Sequence, residues 1–314
     1  MDSTAVLTSY PWLRNLTQKN VIMGDDLDAA LSTILFLRCN PQATLAGIYS
    51  GYSKIYLCPD LSFQQLDQCV FIDLDIYKAG CRSLGHHIIR RDERDVLAGF
   101  QQSCNMNELA KRSLSANYIK KYPLGTVHFL MWLYDVPVPF FKNAEPLIWL
   151  ADSTFINGQS HRFRSNVMEW LYHFMPSDDL QVSFQKIEAE QFEIQMTALQ
   201  ALLQEKGFNK GRGQVTSKHK LLSGYQCQPS GQENAAQMTQ YIKKLLEMIT
   251  EITGWKVLKE QLNIETLHLN TGIRKSGQIQ QVLGKDSLDE FLLQKNVFSY
   301  VFPFKEQINY TVFN

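Results

Sequence analysis

From Asn20 to about Met175, short apolar runs alternate with amphipathic ones, the pattern of strands joined by helices around a mostly parallel sheet. Strands are predicted for VIM at Val21, TLAGIYSG at Thr44, KIYLC at Lys54, CVFID at Cys69, HHII at His86 and LIWLAD at Leu147. In LDAALSTILFL, GTVHFLMWLY and RFRSNVMEWLYHF the apolar residues recur at three and four, which predicts helices. The run FQKIEAEQFEIQMTALQALLQE, from Phe184 to about Glu205, is polar but periodic and free of glycine and proline, and reads as one long helix. A second long helix is expected from about Gln232 to Thr253, followed by strand-like TLHLN, NVFSYVFPF and NYTVF. The predicted fold class is α/β: a mostly parallel sheet domain over 1–180, a helical linker over 181–210 and a smaller α+β C-terminal domain over 211–314.

The length of 314 residues supports this division, since one core rarely organises so long a chain. Apolar and charged fractions of 45% and 20% are those of an ordinary soluble globular protein. Lysine plus arginine equal aspartate plus glutamate at 31 each, so no global field draws the chain to nucleic acid or to an anionic membrane. A local patch must do that work. Lys206, Lys210, Arg212, Lys218 and Lys220 cluster among glycines after the first long helix, a cationic loop that either follows a nucleic-acid backbone or is simply solvated. The six cysteines show no CxxC spacing and sit mostly in apolar runs, which predicts buried free thiols and a reducing compartment. The first residues lack a basic segment followed by an apolar one, and no run is long enough to span a bilayer, so a cytoplasmic chain with no membrane partner is expected.

The chemistry concentrates where strands end. In VIMGDDLDAALSTI, Asp25, Asp26 and Asp28 fall between a strand and a helix, and three carboxylates this close repel one another unless a cation sits among them. Aspartate before a helix is also the ordinary N-cap, and both roles stay open. CVFIDLDIY ends in Asp73 and Asp75, and the carboxyl ends of neighbouring parallel strands lie together. In SLGHHII, His86 and His87 both serve one site only if the strand has just ended, because neighbours on a strand face opposite ways. Asp152 follows another apolar run. Arg162 and Arg164 begin the next helix, where guanidinium meets phosphate oxygens well. His128, on an apolar helical run, reads as packed; Asn105 and Asn107 fit a helix cap or an approach to substrate.

This order resembles the four motifs of the DHH phosphoesterase superfamily: Asp-x-Asp-Ala after a first strand, an aspartate after a later one, a histidine pair, then Ala-Asp-Ser/Thr-x-Phe. The superfamily includes single-strand exonucleases, oligoribonucleases, cyclic-dinucleotide phosphodiesterases and manganese-dependent pyrophosphatases. The resemblance spans Val21 to Leu171, roughly half the chain. It implies metal ligation by Asp26, Asp28, Asp73, His86 and Asp152, with Asp73 bridging two ions, His87 facing the substrate phosphate, and Mn2+ or Mg2+ as cofactor. Two positions depart from the pattern: Ile22 stands where the family has a histidine, and Gly85 stands where it has the aspartate before the histidine pair. One ion therefore keeps the set Asp28, Asp73, His86 and Asp152, whereas the other keeps only Asp26 and Asp73 unless Asp25 substitutes.

The activity implied is hydrolysis of a phosphodiester in a nucleotide or short single-stranded nucleic acid by metal-activated water, with His87 and an arginine, Arg162 or Arg164, neutralising developing charge. From the C-terminal part, Arg274 and Lys275 in TGIRKSGQ are candidates to hold a substrate phosphate across an interdomain cleft, with a solvated turn as the alternative. A DHH-like binding or scaffolding protein without turnover, and a hydrolase of pyrophosphate or a small phosphate ester, are the rival expectations. The chain has no GxxxxGKS/T loop, HExxH or GxSxG, which leaves nucleoside triphosphatases, zincins and α/β hydrolases without support.

Overall fold

The computed structural model describes residues 1–16, 20–159, 163–208, 227, 229–262 and 264–313. Its core is a seven-stranded, mostly parallel sheet in the order β6-β5-β4-β1-β2-β3-β7. The strands are β1 (Asn20–Met23), β2 (Thr44–Ser50), β3 (Lys54–Leu57), β4 (Val70–Ile72), β5 (Arg82–Gly85), β6 (Cys104–Asn105) and β7 (His268–Thr271). The five strands from β6 to β2 are parallel; β3 runs against them, and β7, antiparallel to β3, closes the far edge in their direction. After β1 the chain builds outward through β2; after β3 it returns to lay β4 on the other side of β1. The strand order therefore reverses at β1/β4, and the crevice beyond the carboxyl ends of those two strands is where open α/β sheets place their ligands. Asp25, Asp26 and Asp28 leave β1 there, and Asp73 and Asp75 leave β4.

The sheet is covered by helices with little polar surface to spare. The helix Leu27–Cys39 is buried along eleven consecutive residues from Leu27 to Leu37, because it lies between the sheet and the helices Thr126–Tyr134 and Ala235–Thr253. A helix covered on nearly all sides shows no narrow apolar stripe. The same ambiguity explains one correction. LIWLAD is not a strand: Ala144–Leu150 is a helix with Pro146 in its first turn, followed by a 3-10 turn at Ala151–Ser153. All of Leu147, Ile148, Trp149 and Leu150 are buried, and a continuous apolar run of that length reads equally well as a core strand. Asp152 thus comes from a helix end.

Two further expectations change. HHII is not a strand, since β5 stops at Gly85 and the histidines begin a loop. The run from Phe184 is broken at Ile187 and Glu188 into the helices Asp178–Lys186 and Ala189–Glu205. An unbroken helix would carry the buried stripe of Leu180 and Phe184 on to Glu188 and Gln191; the break resets the register, so Phe192, Met196, Leu199 and Leu203 are buried and both polar residues stay exposed. The helices Ala189–Glu205 and Ala235–Thr253 join the same core as the sheet, and the strand predicted in TLHLN is β7, on the edge of the large sheet.

A separate small antiparallel sheet, ordered β8-β10-β9, follows: β8 (Ile273–Gln278), β9 (Val297–Phe304) and β10 (Gln307–Val312). It docks on the loops beyond β4 and β5. Tyr77 N–H donates to the Phe298 carbonyl at 2.7 Å, the Tyr300 hydroxyl donates to the Ile89 carbonyl at 2.5 Å, and Tyr300, Phe302 and Phe291 share an apolar cluster with Ile88, Ile89 and Leu97. The small sheet thereby buttresses the segment that carries the histidine pair. Most cysteines are buried and all six are free; among the described residues, no helix is long and apolar enough to cross a membrane. Of the cationic loop, Lys210, Arg212, Lys218 and Lys220 lie outside the described residues.

Candidate metal centre

At the carboxyl edge of β1 and β4, one oxygen each from Asp28 and Asp73 and one ring nitrogen of His86 lie within 4.8 Å of one another. His86 Nδ1 is 3.1 Å from Asp73 Oδ1, and its Nε2 is 2.8 Å from Asp152 Oδ2. Three of the four residues proposed for one ion therefore meet, while Asp152 reaches His86 at the ring's other nitrogen. Backbone conformation contributes to this: Asp73 and Asp152 hold φ of +60° and +49°, a left-handed region that aspartate tolerates better than most residues. The cavity lined by Asp73, His86 and Asp152, about 230 Å³, is also lined by Asp25, Asp26, Tyr49, Tyr52 and His87, and among the described residues no lysine or arginine lines it.

Asp28 owes its position to the helix Thr126–Tyr134. Gly125 is that helix's N-cap and offers no side chain, so the Asp28 carboxylate caps it from outside, accepting from Thr126 N–H at 2.6 Å and Val127 N–H at 3.0 Å. A Cβ at Gly125 would stand 2.7 Å from Asp28 Oδ1, which is why this position takes glycine. The Thr126 hydroxyl donates to Asp73 Oδ1 at 2.7 Å and is 2.9 Å from His86 Nδ1, tying three of the four residues to one helix end.

The histidine pair sits just past its strand, as a shared site requires. The two rings stack, with centroids 4.8 Å apart. His87 is oriented by Asp75, whose Oδ2 accepts from His87 N–H at 3.0 Å and lies 3.1 Å from Nδ1, while Asn105 Nδ2 donates to Asp75 Oδ1 at 2.7 Å and to the His87 carbonyl at 2.9 Å. Asn107 Nδ2 donates to the His86 carbonyl at 2.6 Å. Gly85 acquires a physical reason here: a Cβ on it would overlap the Asp75 carboxylate. The carboxylate next to the histidine pair is supplied from residue 75, in space left by the missing side chain at 85.

Electrostatics separate the acids. Burial, reinforced by the charges of Asp73 and Asp152, holds Asp26 and Asp28 well above the usual carboxylate range, and burial also raises Asp25. Burial alone would lower His86, but the carboxylates of Asp152 and Asp73 outweigh it and hold its imidazole well above the usual range. Burial is the largest single influence on Asp152 and raises it, but the facing His86, with His87 and His128 behind it, holds its carboxyl down. Burial and the charges of Asp26 and Asp25 push the Tyr52 hydroxyl far up. This donor set, hard oxygens and one imidazole, matches the ligand types of a divalent cation once His86 gives up its proton, and among the described residues no lysine or arginine lines the cavity.

Not every predicted ligand is equally available. Asp26 lines the cavity but N-caps the helix Leu27–Cys39, accepting from Ala29 N–H at 3.0 Å. Asp25 Oδ2 accepts from the Ser50 hydroxyl at 2.7 Å and Gly51 N–H at 2.9 Å. Ile22 is fully buried against the apolar face of the sheet. Arg162 lies outside the described residues; Arg164 is exposed, its Nη1 3.5 Å from the Gly158 carbonyl, and does not line the cavity. Arg274 stacks on Tyr52, guanidinium carbon to ring centre 4.9 Å, which sets it at the cavity rim. Lys275, its neighbour on β8, is exposed and alternates to the other face of the strand. Thr126, Tyr52 and Asp75 complete the site; only Asp75 carried a signal, its place at the end of β4. The chain matches no protein-family model and no curated protein.

Proposed function

We propose that the chain is a metal-dependent phosphoesterase that hydrolyses a phosphodiester in a nucleotide or short single-stranded nucleic acid. The observation that carries the reading is the cluster of Asp28, Asp73 and His86, with Asp152 against the other His86 nitrogen, beside an acid-lined cavity at the point where strand order reverses. Those four residues would hold Mn2+ or Mg2+. When bound, such an ion acidifies water and draws charge from a phosphoryl oxygen.

The chain's own groups do the rest. Thr126 and the Thr126–Tyr134 helix end fix Asp28 and Asp73; Asp75 and Asn105 hold the His87 ring so that Nδ1 is engaged and Nε2 is left to meet a phosphate oxygen. Arg274 on Tyr52 supplies positive charge at the rim. One observation favours a second reading, a binding protein without turnover. Ile22 is sealed in the sheet, and Asp25, Asp26 and Asp28 all accept from backbone amides, so few donors are left uncommitted.

The test is calorimetric titration of metal-free protein with Mn2+, followed by turnover assays on short oligonucleotides, cyclic dinucleotides and pyrophosphate. One tight Mn2+ site and cleavage of a phosphodiester are expected, with Asp73→Ala weakening Mn2+ binding by about 100-fold or more, beyond the 10- to 100-fold typical of residues one layer removed from the ion. Mn2+ binding without any turnover would select the binding-protein reading, and absence of Mn2+ binding would end both.

A further inference from the structure

A second cavity, also about 230 Å³, flanks the same histidine pair on its other side. It shares His86, His87 and Asp152 with the acid-lined cavity, but the rest of its wall, aliphatic at Ile88, Pro123 and Leu124, includes Tyr118, Tyr122, Phe302 and, as the single lysine or arginine among the described lining residues, Lys121. These aromatic side chains come from different parts of the fold. Tyr118 and Tyr122 precede the helix Thr126–Tyr134, whereas Phe302 belongs to β9 of the small sheet. The wall is held in place: the Tyr118 hydroxyl donates to the Pro303 carbonyl at 3.1 Å, Phe302 and Tyr122 are buried, and the Lys121 ammonium lies 5.2 Å from the Tyr118 ring centre. Among the described residues no acid other than Asp152 lines it.

Two adjoining cavities, one lined mainly by acids and the other with an aromatic wall and a lysine, fit a ligand with two unlike ends. Carboxylates and imidazoles suit the phosphate end through an ion, and rings beside a cation suit a planar group carrying a neighbouring anion. The size limits that group. At about 230 Å³ the cavity falls below the roughly 300 Å³ at which pockets for drug-sized ligands begin, so it admits a single ring system.

We infer that the second cavity is a subsite for one nucleobase, so that the substrate is a nucleotide end presented singly. The inference rests on the reading that the acid-lined cavity takes the phosphate. It also separates the substrate classes, because pyrophosphate or a small alkyl phosphate would leave the aromatic wall without a partner.

The experiment measures binding to the full chain with Mn2+ by calorimetry, using inorganic phosphate, ribose 5-phosphate and 5′-AMP as probes. AMP is expected to bind about 5- to 150-fold more tightly than ribose 5-phosphate, the range of base–aromatic stacking. Phe302→Ala should abolish that preference while ribose 5-phosphate binding stays put. Phe302→Leu, which keeps apolar volume and removes the ring, serves as the second variant should the alanine protein not fold, and the same loss is expected of it. Equal binding of AMP and ribose 5-phosphate by the wild type, or a preference that survives in the folded variants, would overturn the subsite even with phosphate and Mn2+ binding intact. The converse result, a Phe302-dependent AMP preference in a protein that binds neither Mn2+ nor inorganic phosphate, would uphold the subsite and remove the phosphoesterase reading.

Discussion

The first turn of the Thr126–Tyr134 helix divides two regions that treat the same side chain in opposite ways. On its outer side His86 stands between Asp73 and Asp152, and its imidazole is held in the charged form. On its inner side His128, fully buried, packs on Trp149 with ring centroids 4.8 Å apart, and burial pushes its pKa down to about 4. Its Nδ1 accepts from Gly125 N–H at 3.1 Å, which requires the neutral ring. Residue type is constant across this boundary and protonation is reversed. The difference teaches what each region is for: the inner one minimises charge, as a core must, while the outer one gathers carboxylates that repel one another. In the outer region that repulsion is offset by His86, which stands between Asp73 and Asp152, and by the helix end that Asp28 caps.

The sharpest way to break the comparison is to crowd the outer region with one more acid. Gly85→Asp restores the residue that the resemblance expects, yet its side chain enters the space of the Asp75 carboxylate. A loss of about 4 kcal/mol is expected from overpacking plus an uncompensated buried charge, read by chemical denaturation. Asp75→Gly in the same chain should recover most of it, because the carboxylate is then supplied from residue 85 alone; no recovery would show that the two positions do not share one space.

Next in size is the pH response of the inner region. The unfolded chain protonates His128 near 6.5, while the folded chain does so only near 4. Between those values the unfolded state holds the extra proton, so stability falls as pH falls, by up to about 3 kcal/mol. His128→Gln keeps an acceptor at the third helical position without a titrating ring. Denaturation midpoints measured from pH 7 to 4 should slope less steeply in this variant than in the wild type, and parallel slopes would remove His128 as the cause.

The smallest expected effect distinguishes the acids of the outer region from one another. Asp26→Ala removes the N-cap on Ala29 and should cost about 1 kcal/mol. Mn2+ affinity at the Asp28, Asp73, His86 and Asp152 set should change far less than in Asp73→Ala. A loss equal to that of Asp73→Ala would make Asp26 a ligand of the same ion.

Much of the fold was legible in the chain because it rests on local periodicity. The runs at Val21, Thr44, Lys54 and Cys69 became β1 to β4, and LDAALSTILFL and GTVHFLMWLY became helices. The misreadings share a cause. LIWLAD is apolar throughout, so no period distinguished helix from strand, and the break at Ile187 answers to which face meets the core rather than to any glycine or proline. At the site, acids at strand ends and the paired histidines were visible as residues, yet their engagements were not. That Asp25 and Asp26 serve backbone amides, that Asp28 caps a helix 98 positions away, and that Asp75 orients His87 are facts of distant segments brought together.

By itself, the sequence determined the α/β alternation, the order of the acid and imidazole residues along the chain, and the neutral overall charge, since each is written in neighbouring positions. Only the tertiary structure decided which carboxylates remain available, which histidine is charged, and that Phe302 stands across from Tyr118. Hydrogen-bond partners and desolvation depend on groups that are remote in the chain and adjacent in space, and a linear pattern carries neither.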